Sequence, residues 1–443
     1  MKVTIPNIAL PEVKYTFYCL LKEFLGLEYE LEVNTNLTDF EILVNEKKLI
    51  IRNCFFIKDN PNEWYQNQNI PIDISKGILK IGEEQFSIVS IFGKSKLVQK
   101  GEELVFETDI IASTFFMLSR WEEMANAKRD IHQRFSSRES LAYKNDFLQK
   151  PVVNQYVEIL WAALQKLGIQ QKRRKRQFEV VPTHDVDVPF LFTAPFQSLK
   201  TITRHLIDPR FFKDGIHFTK SYFKGIDPND THDIFLDGAE QLGVKAHFFF
   251  VAGGKNKYDP PYQLEHPKVK SLITKIKSRG HHIGFHPSYD VYQNEDLFKK
   301  EKFHLENILD QKVKTGRQHY LRFEVPITWN LWERASMDWD STLGFADAIG
   351  FRCGVCYPFP VFDILQRKQL QLYERPLLFM ETTLGMYAKL SLKDAQKEIN
   401  ELINEVKKYR GEFVFLWHNS SLNLSIFAQH NLILFDIYKM KNL

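Results

Sequence analysis

From Phe178 onward the chain alternates short apolar strands with helical stretches, and this rhythm constrains the fold more than any other feature. Strands are expected at Phe178–Pro182, Ala246–Val251, His282–His286 and Glu412–Trp417. Helical stretches at Asp233–Leu242 and Lys268–Lys277 fall between them, the second closed by Gly280. Strands alternating with helices argue for an α/β fold with a largely parallel sheet. We expect an irregular (β/α) barrel over residues 178–443. In such folds the chemistry gathers at the C-terminal ends of the strands.

The first part of the chain has a different texture and is expected to be a smaller mixed α/β domain over residues 1–170. Alternating residues at Tyr29–Val33, Phe40–Val44 and Leu49–Arg52 read as strands. Ile78–Ile91 reads as a hairpin turning near Gly82-Glu83-Glu84. Asp109 is a helix N-cap candidate before Phe115, Phe116 and Leu118. A further helix is expected from Pro151 to Leu167, with Pro at its first turn and Gly168 at its end. No residue set here has the spacing of a known chemical site. The basic run Lys172-Arg173-Arg174-Lys175-Arg176 sits just before the Phe178 strand, and we place a solvated linker at 171–177.

Composition closes off several classes of function. A length of 443 residues implies two or three domains. The 59 Lys plus Arg stand against 55 Asp plus Glu, too near balance to argue for nucleic acid. No run approaches the roughly 20 apolar residues of a membrane helix, so no transmembrane segment is expected. Pro6, Pro11 and Glu12 interrupt the start where a secretion signal needs an apolar stretch, which makes the expectation a cytoplasmic protein. Four cysteines make no disulfide framework, and Cys353 and Cys356 read as core thiols near a turn. Oligomeric state is not legible.

Four strand ends carry the candidate chemistry. The first is Thr183-His184-Asp185-Val186-Asp187, where two acids at i, i+2 can aim into one pocket. Like charges so close call for a compensating cation or arginine, hence a divalent metal plus a general base; the plainer alternative is an Asp-rich turn. The second runs from Gly280 to Asp290 and delivers His286, an imidazole of the kind that binds zinc, with Asp290 one turn on if a helix starts at Pro287. The third is Arg317-Gln318-His319-Tyr320, whose arginine can hold a carboxylate ionised, a role for which Arg352 competes. The fourth is the apolar strand Phe413–Trp417, which ends in His418.

Together these segments resemble the polysaccharide deacetylases of carbohydrate esterase family four, the chitooligosaccharide deacetylase homology domain. The resemblance covers roughly residues 178–443. Residues 183–187 resemble the family's Thr-x-Asp-Asp motif in its Asp-x-Asp variant, which implies Asp185 as general base and Asp187 as metal ligand. Gly280–Asp290 aligns with the motif that carries two metal-binding histidines, His286 falling on the first and Asp290 on the second. Arg317-Gln318-His319-Tyr320 approaches Arg-x-Pro-Tyr with His in place of Pro. Leu416-Trp417-His418 matches the closing motif and makes His418 the implied general acid.

The resemblance further implies a divalent metal, zinc first, with cobalt, manganese or iron as alternatives. Arg317 would hold the Asp185 carboxylate, and a backbone N–H near Tyr320 would meet the developing oxyanion. The implied substrate is an N- or O-acetylated carbohydrate, a cell-surface polysaccharide or its precursor. Trp329, Trp332, Trp339 and Trp417 are of the type that stacks on sugar faces, although core positions would use them equally. The first half resembles the N-terminal segment of a poorly described bacterial branch of these deacetylases, which names no activity for it.

Two other readings stay open. Asp185-Val186-Asp187 is also the pattern by which many glycosyltransferases hold a metal and a diphosphate; that site needs neither His286 nor His418. With Asp290 where the family has histidine, the fold can also serve a non-catalytic carbohydrate-binding protein.

Overall fold

The computed structural model describes residues 1–57, 60–193, 195–260 and 262–440, so the last three residues of the expected second domain lie outside the described residues. The chain divides into two compact units. The first comprises Met1–Gln177 together with Glu324–Asn330 and Gly350–Pro376; the second comprises Phe178–Phe323, Leu331–Ile349 and Leu377–Leu443. Two segments that follow the expected boundary thus pack with the first unit.

In the first unit the strands are β1 (Lys2–Ile5), β2 (Glu30–Val33), β3 (Phe40–Val44), β4 (Lys47–Ile51), β5 (Ser75–Ile81), β6 (Glu84–Ser90), β7 (Gly93–Lys100) and β8 (Glu103–Thr108). Six of them form a mixed sheet in the order β2-β1-β3-β4-β8-β7, while β5 and β6 make an antiparallel hairpin. The Asp109 side chain accepts from Ala112 N and caps the helix Ile110–Ser119, whose residues are all buried. The helix Val152–Lys166 buries Val153, Tyr156, Val157, Leu160 and Leu164 as its spacing requires.

The basic run has no regular structure, with Lys172, Arg174 and Lys175 exposed, but its three arginines find partners. Arg173 makes a two-pronged ion pair with Glu158, Arg174 reaches Glu23 at 3.0 Å, and Arg176 lies 4.2 Å from the Tyr357 ring centroid. Acidic and aromatic partners far away in sequence draw these side chains onto the unit's surface. Cys353 and Cys356 are free and buried in the same unit, and burial pushes the Cys353 thiol up.

The second unit holds β9 (Glu179–Val186), β10 (His247–Val251), β11 (His282–His286), β12 (Thr315–Gly316) and β13 (Trp339–Asp340). After β14 (Phe359–Asp363) and β15 (Lys368–Glu374), an antiparallel pair in the first unit, the chain returns with β16 (Phe379–Met380) and β17 (Glu412–Leu416). In the second unit the order is β13-β12-β11-β10-β9-β17-β16, with every pairing parallel. Helices His232–Leu242, Pro267–Ser278, Glu295–Leu309 and Leu392–Tyr409 lie between successive strands. Both faces of such a sheet are covered, and β10, β11 and β17 are accordingly almost wholly buried.

The fold is therefore mixed α/β with a parallel sheet, but the expected barrel is not closed: among the described residues the strand order has two different ends. With β12, β13 and β16 only two residues long, too little ladder is available there to carry the sheet around on itself. Val181, Leu321, Ala346, Leu377, Met380, Val414 and Leu416 form a core cluster in this unit. No helix among the described residues is long and apolar enough to cross a membrane.

Candidate metal centre

The parallel sheet sends the C-terminal ends of β9, β11, β12 and β17 to one edge, and the polar side chains that follow those ends meet there. Residue register explains part of this. Phe249 of β10 pairs with Asp185 and Gly284, and Val251 pairs with His286, so His286 stands two residues further along the ladder than Asp185 and, by alternation, on the same face of the sheet. Gly316 lets β12 approach, since a Cβ there would fall 1.9 Å from Phe285 O.

Asp185 is buried, and its Oδ1 accepts from Arg317 Nη1 at 2.9 Å. Arg317 is fully buried and has no slack: Nη2 donates to Thr183 Oγ1 and Ser341 Oγ, and Nε to Ser341 O. The guanidinium fixes one carboxylate oxygen of Asp185 and leaves Oδ2 facing His286 Nε2 at 3.6 Å.

Asp187 stands just beyond β9, between three imidazoles. Its Oδ1 is 3.4 Å from His286 Nε2 and 3.7 Å from His319 Nε2, and its Oδ2 is 3.6 Å from His418 Nε2. Burial would raise this carboxyl, but the His319 and His286 imidazoles outweigh it and hold Asp187 well below the usual carboxylate range. The same crowding acts on the histidines. Burial lowers His319, yet Asp187 and Asp259 carry it up to about 9. Burial likewise lowers His418, but the Glu381 and Asp187 carboxylates lift it to about 10. The carboxylates around the pocket thus hold both imidazoles toward their protonated forms.

Asp187, His286 and His319 form a group that can hold a metal ion, with one ligand atom from each lying within 4.8 Å of the others. Two independent features fit a cation. Asp187 Oδ1 and His286 Nε2 are buried and have no hydrogen-bond partner, although they face each other. The imidazole of His286 is also oriented from behind, its Nδ1 lying 2.6 Å from Arg317 O; a proton on Nδ1 leaves Nε2 as the free base. Ligand atoms about 2.0–2.1 Å from a tetrahedral zinc lie about 3.3 Å apart, close to the 3.4 and 3.7 Å seen from Asp187 Oδ1.

Asp290 does not join this group. It is exposed, accepts from Asn256 Nδ2 at 3.0 Å and lies 3.7 Å from Arg322 Nη1. Its placement one helical turn past His286 assumed a helix starting at Pro287. The chain instead makes a turn there, a short 3-10 segment at Val291–Gln293 follows, and the helix begins only at Glu295. The space falls to His319, whose Nδ1 lies 3.6 Å from the buried Asp259 carboxylate.

His418 follows β17 and is brought to Asp187, with its far nitrogen held at 2.7 Å by Glu381 Oε1. Glu381 is fully buried and also accepts from Ser421 Oγ at 2.6 Å. Tyr320 stands beside His319, half-buried, with a left-handed φ of 61°. Arg352 does not compete for Asp185; it pairs with Glu123 in the first unit. Trp332 and Trp417 are buried, so neither offers a face to a sugar; the same holds for Trp329.

Sequence reasoning did not group His319 with Asp187 and His286, and it missed Glu381 altogether. Pro376-Leu377-Leu378-Phe379-Met380 followed by Glu381 is an apolar run that delivers one titratable residue at its end, the signal that singled out His418. Its two-residue strand is too short to stand out by alternation.

Comparison with known proteins gives a match over residues 1–169 to a family model described as a family of unknown function, DUF7033. No curated protein matches. Among solved structures, a putative polysaccharide deacetylase from Mycobacterium smegmatis is 16% identical, with a TM-score of 0.39 over 61% of this chain and 86% of that one. A mutant of a CE4 family pseudoenzyme with restored enzymatic activity is 12% identical, with a TM-score of 0.27 over 60% and 63% of the two chains.

Proposed function

We propose that the chain is a metal-dependent hydrolase that removes acetyl groups from an N-acetylated carbohydrate. The observation that carries the reading is Asp187 set between His286 and His319, beside an Asp185 locked by Arg317. Asp187, His286 and His319 would hold the divalent cation, and one oxygen with two imidazole nitrogens suits zinc first. When bound, such an ion polarises the acyl carbonyl and acidifies water.

The protein's own groups divide the proton work. Asp185 presents Oδ2 to the site while Arg317 holds its other oxygen in place, and this orientation suits it to be the general base toward the attacking water. His418 is kept protonated by Glu381 and is the acid that gives its proton to the departing amine as the C–N bond breaks. The products are acetate and the free amine. A backbone N–H near Tyr320 is the proposed donor to the oxyanion. A glycosyltransferase holding a diphosphate at Asp185-Val186-Asp187 would have no use for two imidazoles converging on Asp187.

Elemental analysis of the purified chain, combined with acetate release from N-acetylated oligosaccharides, tests the reading. We expect near-stoichiometric divalent metal and acetate formation, both lost on Asp187→Asn. A metal-free protein that binds such sugars without releasing acetate would make it a carbohydrate-binding protein instead.

A further inference from the structure

We propose that the helical hairpin inserted after β9 is a docking element for an anionic lipid surface. It consists of the helices Pro195–Ile207 and Phe212–Phe223, which pack closely where Gly215 meets Leu206: a Cβ on Gly215 would fall 2.7 Å from Leu206 N. The inward faces are ordinary, with Ile202 and Phe218 buried. The outward faces are not. Phe196, Leu199 and Ile207 are 80%, 62% and 75% exposed on the first helix, and Phe212, Ile216 and Phe223 are 50%, 38% and 84% exposed on the second. Their spacing of three, four, seven or eight residues puts each set along one side of its helix. A few scattered apolar residues need no explanation, but six large ones within 28 residues do.

Charge decides what should cover them. Lys200, Arg204, Lys213, Lys220 and Lys224 are exposed on the same two helices or at their ends. The segment's acids are committed elsewhere: Asp208 is paired with Arg210, and buried Asp214 accepts from Ser425 N and Ser425 Oγ. Apolar rows flanked by basic side chains alone complement a surface that offers hydrocarbon beneath negative headgroups, with the Lys and Arg stems reaching up beside the buried rings. A protein partner of ordinary composition would meet this all-basic rim with a matched acidic one, and a second copy would repel it.

The hairpin is anchored at the candidate metal centre. Asp227 accepts from Leu191 N and Phe192 N across its base, and Asn229 and Asn419 both donate to Val188 O. Val188 follows Asp187, and Asn419 follows His418. The root that fixes the hairpin is therefore continuous with residues of the site, although the docking inference does not depend on which reaction occurs there.

Co-sedimentation of the full chain with vesicles tests this. Vesicles of phosphatidylcholine mixed with phosphatidylserine, which give the surface a negative potential, are compared with phosphatidylcholine alone. We expect binding to the anionic vesicles, little to the neutral ones, and a marked loss on raising salt. The double substitution Phe196→Asp and Phe223→Asp should lower partitioning at least tenfold. Reversing Lys200, Arg204, Lys213 and Lys220 to Glu should do the same with the apolar rows intact. Both sets lie on the surface, so unchanged circular dichroism and melting confirm the fold, and either set suffices if the other misfolds. Equal binding to both vesicle types, or binding that survives both sets, overturns the proposal. So does a wild-type dimer in sedimentation velocity that the Phe substitutions dissociate, which would show that a second copy covers the face.

Discussion

His418 Nδ1 lies 2.7 Å from Glu381 Oε1, and Glu381 is fully buried with its other contact from Ser421. A buried carboxylate beside an imidazole fixes the ring's orientation and favours its protonated form. Glu381→Gln keeps the shape and removes the charge. We expect the catalytic rate to fall about 10–100-fold while metal content, which the proposal assigns to Asp187, His286 and His319, stays near that of the parent. In the metal-free protein, nuclear magnetic resonance titration should show the His418 pKa falling from its raised position near 10. Loss of metal with the rate would mean that His418 is itself a ligand.

The proposed third ligand, His319 rather than Asp290, gives a direct comparison. Asp290 is exposed and bonded to Asn256, so Asp290→Ala should leave metal content and activity within a factor of about two, as for surface substitutions in general. His319→Ala removes one of three donors, and we expect metal to be lost on dialysis. Elemental analysis of the two variants side by side checks this; equal retention in both would remove His319 from the ligand set.

Asp185 and Arg317 should separate chemistry from metal binding. Asp185→Asn retains an oxygen to accept from Arg317 Nη1 but cannot take a proton, so turnover should drop about 10²–10⁴-fold with metal retained. Arg317→Lys loses the fork that reaches Asp185, Thr183 and Ser341 at once. It should cost activity and also lower the melting temperature, because Thr183 and Ser341 lose a buried partner. Steady-state kinetics beside metal analysis distinguishes the cases.

How much of this was legible beforehand follows from what each signal depended on. The strands β10 and β17 were readable because each is a near-continuous apolar run, the mark of a sheet covered on both faces, whereas β11 shows it only over Ile283–Phe285. The polar residues at their ends followed, and Asp185, Asp187, His286 and His418 converge as that register requires. Asp290 misled because a four-residue spacing means proximity only on a helix, and no helix forms at Pro287. His319 and Glu381 follow two-residue strands, which carry no periodicity to read. The hairpin of Pro195–Phe223 was invisible for another reason: its amphipathic pattern is that of any surface helix, and only the observed exposure of its apolar residues sets it apart.

The first unit offers a pH test independent of the metal centre. Arg120 donates to Glu122 and Glu123, and Arg352 adds a second guanidinium to Glu123. Burial pushes both carboxyls up, but the two arginines bring Glu123 down to about 2, while Glu122, with Arg120 alone and shared, stays raised at about 7. The signs are opposite. Glu123 contributes stability above its unfolded value near 4.5 that is lost as pH falls toward 2. Glu122 contributes stability that is complete below 4.5 and lost as pH rises through about 7, at most about 3 kcal/mol. Asp109, pushed up to about 6 by burial, acts in the same direction as Glu122. Glu122→Gln keeps an oxygen for Leu141 N and does not titrate. The difference between the parent and the variant therefore isolates Glu122 from Asp109. Chemical denaturation between pH 5 and 8 should show the parent losing stability more steeply than the variant, and parallel curves would place an ordinary, ionised carboxylate at Glu122.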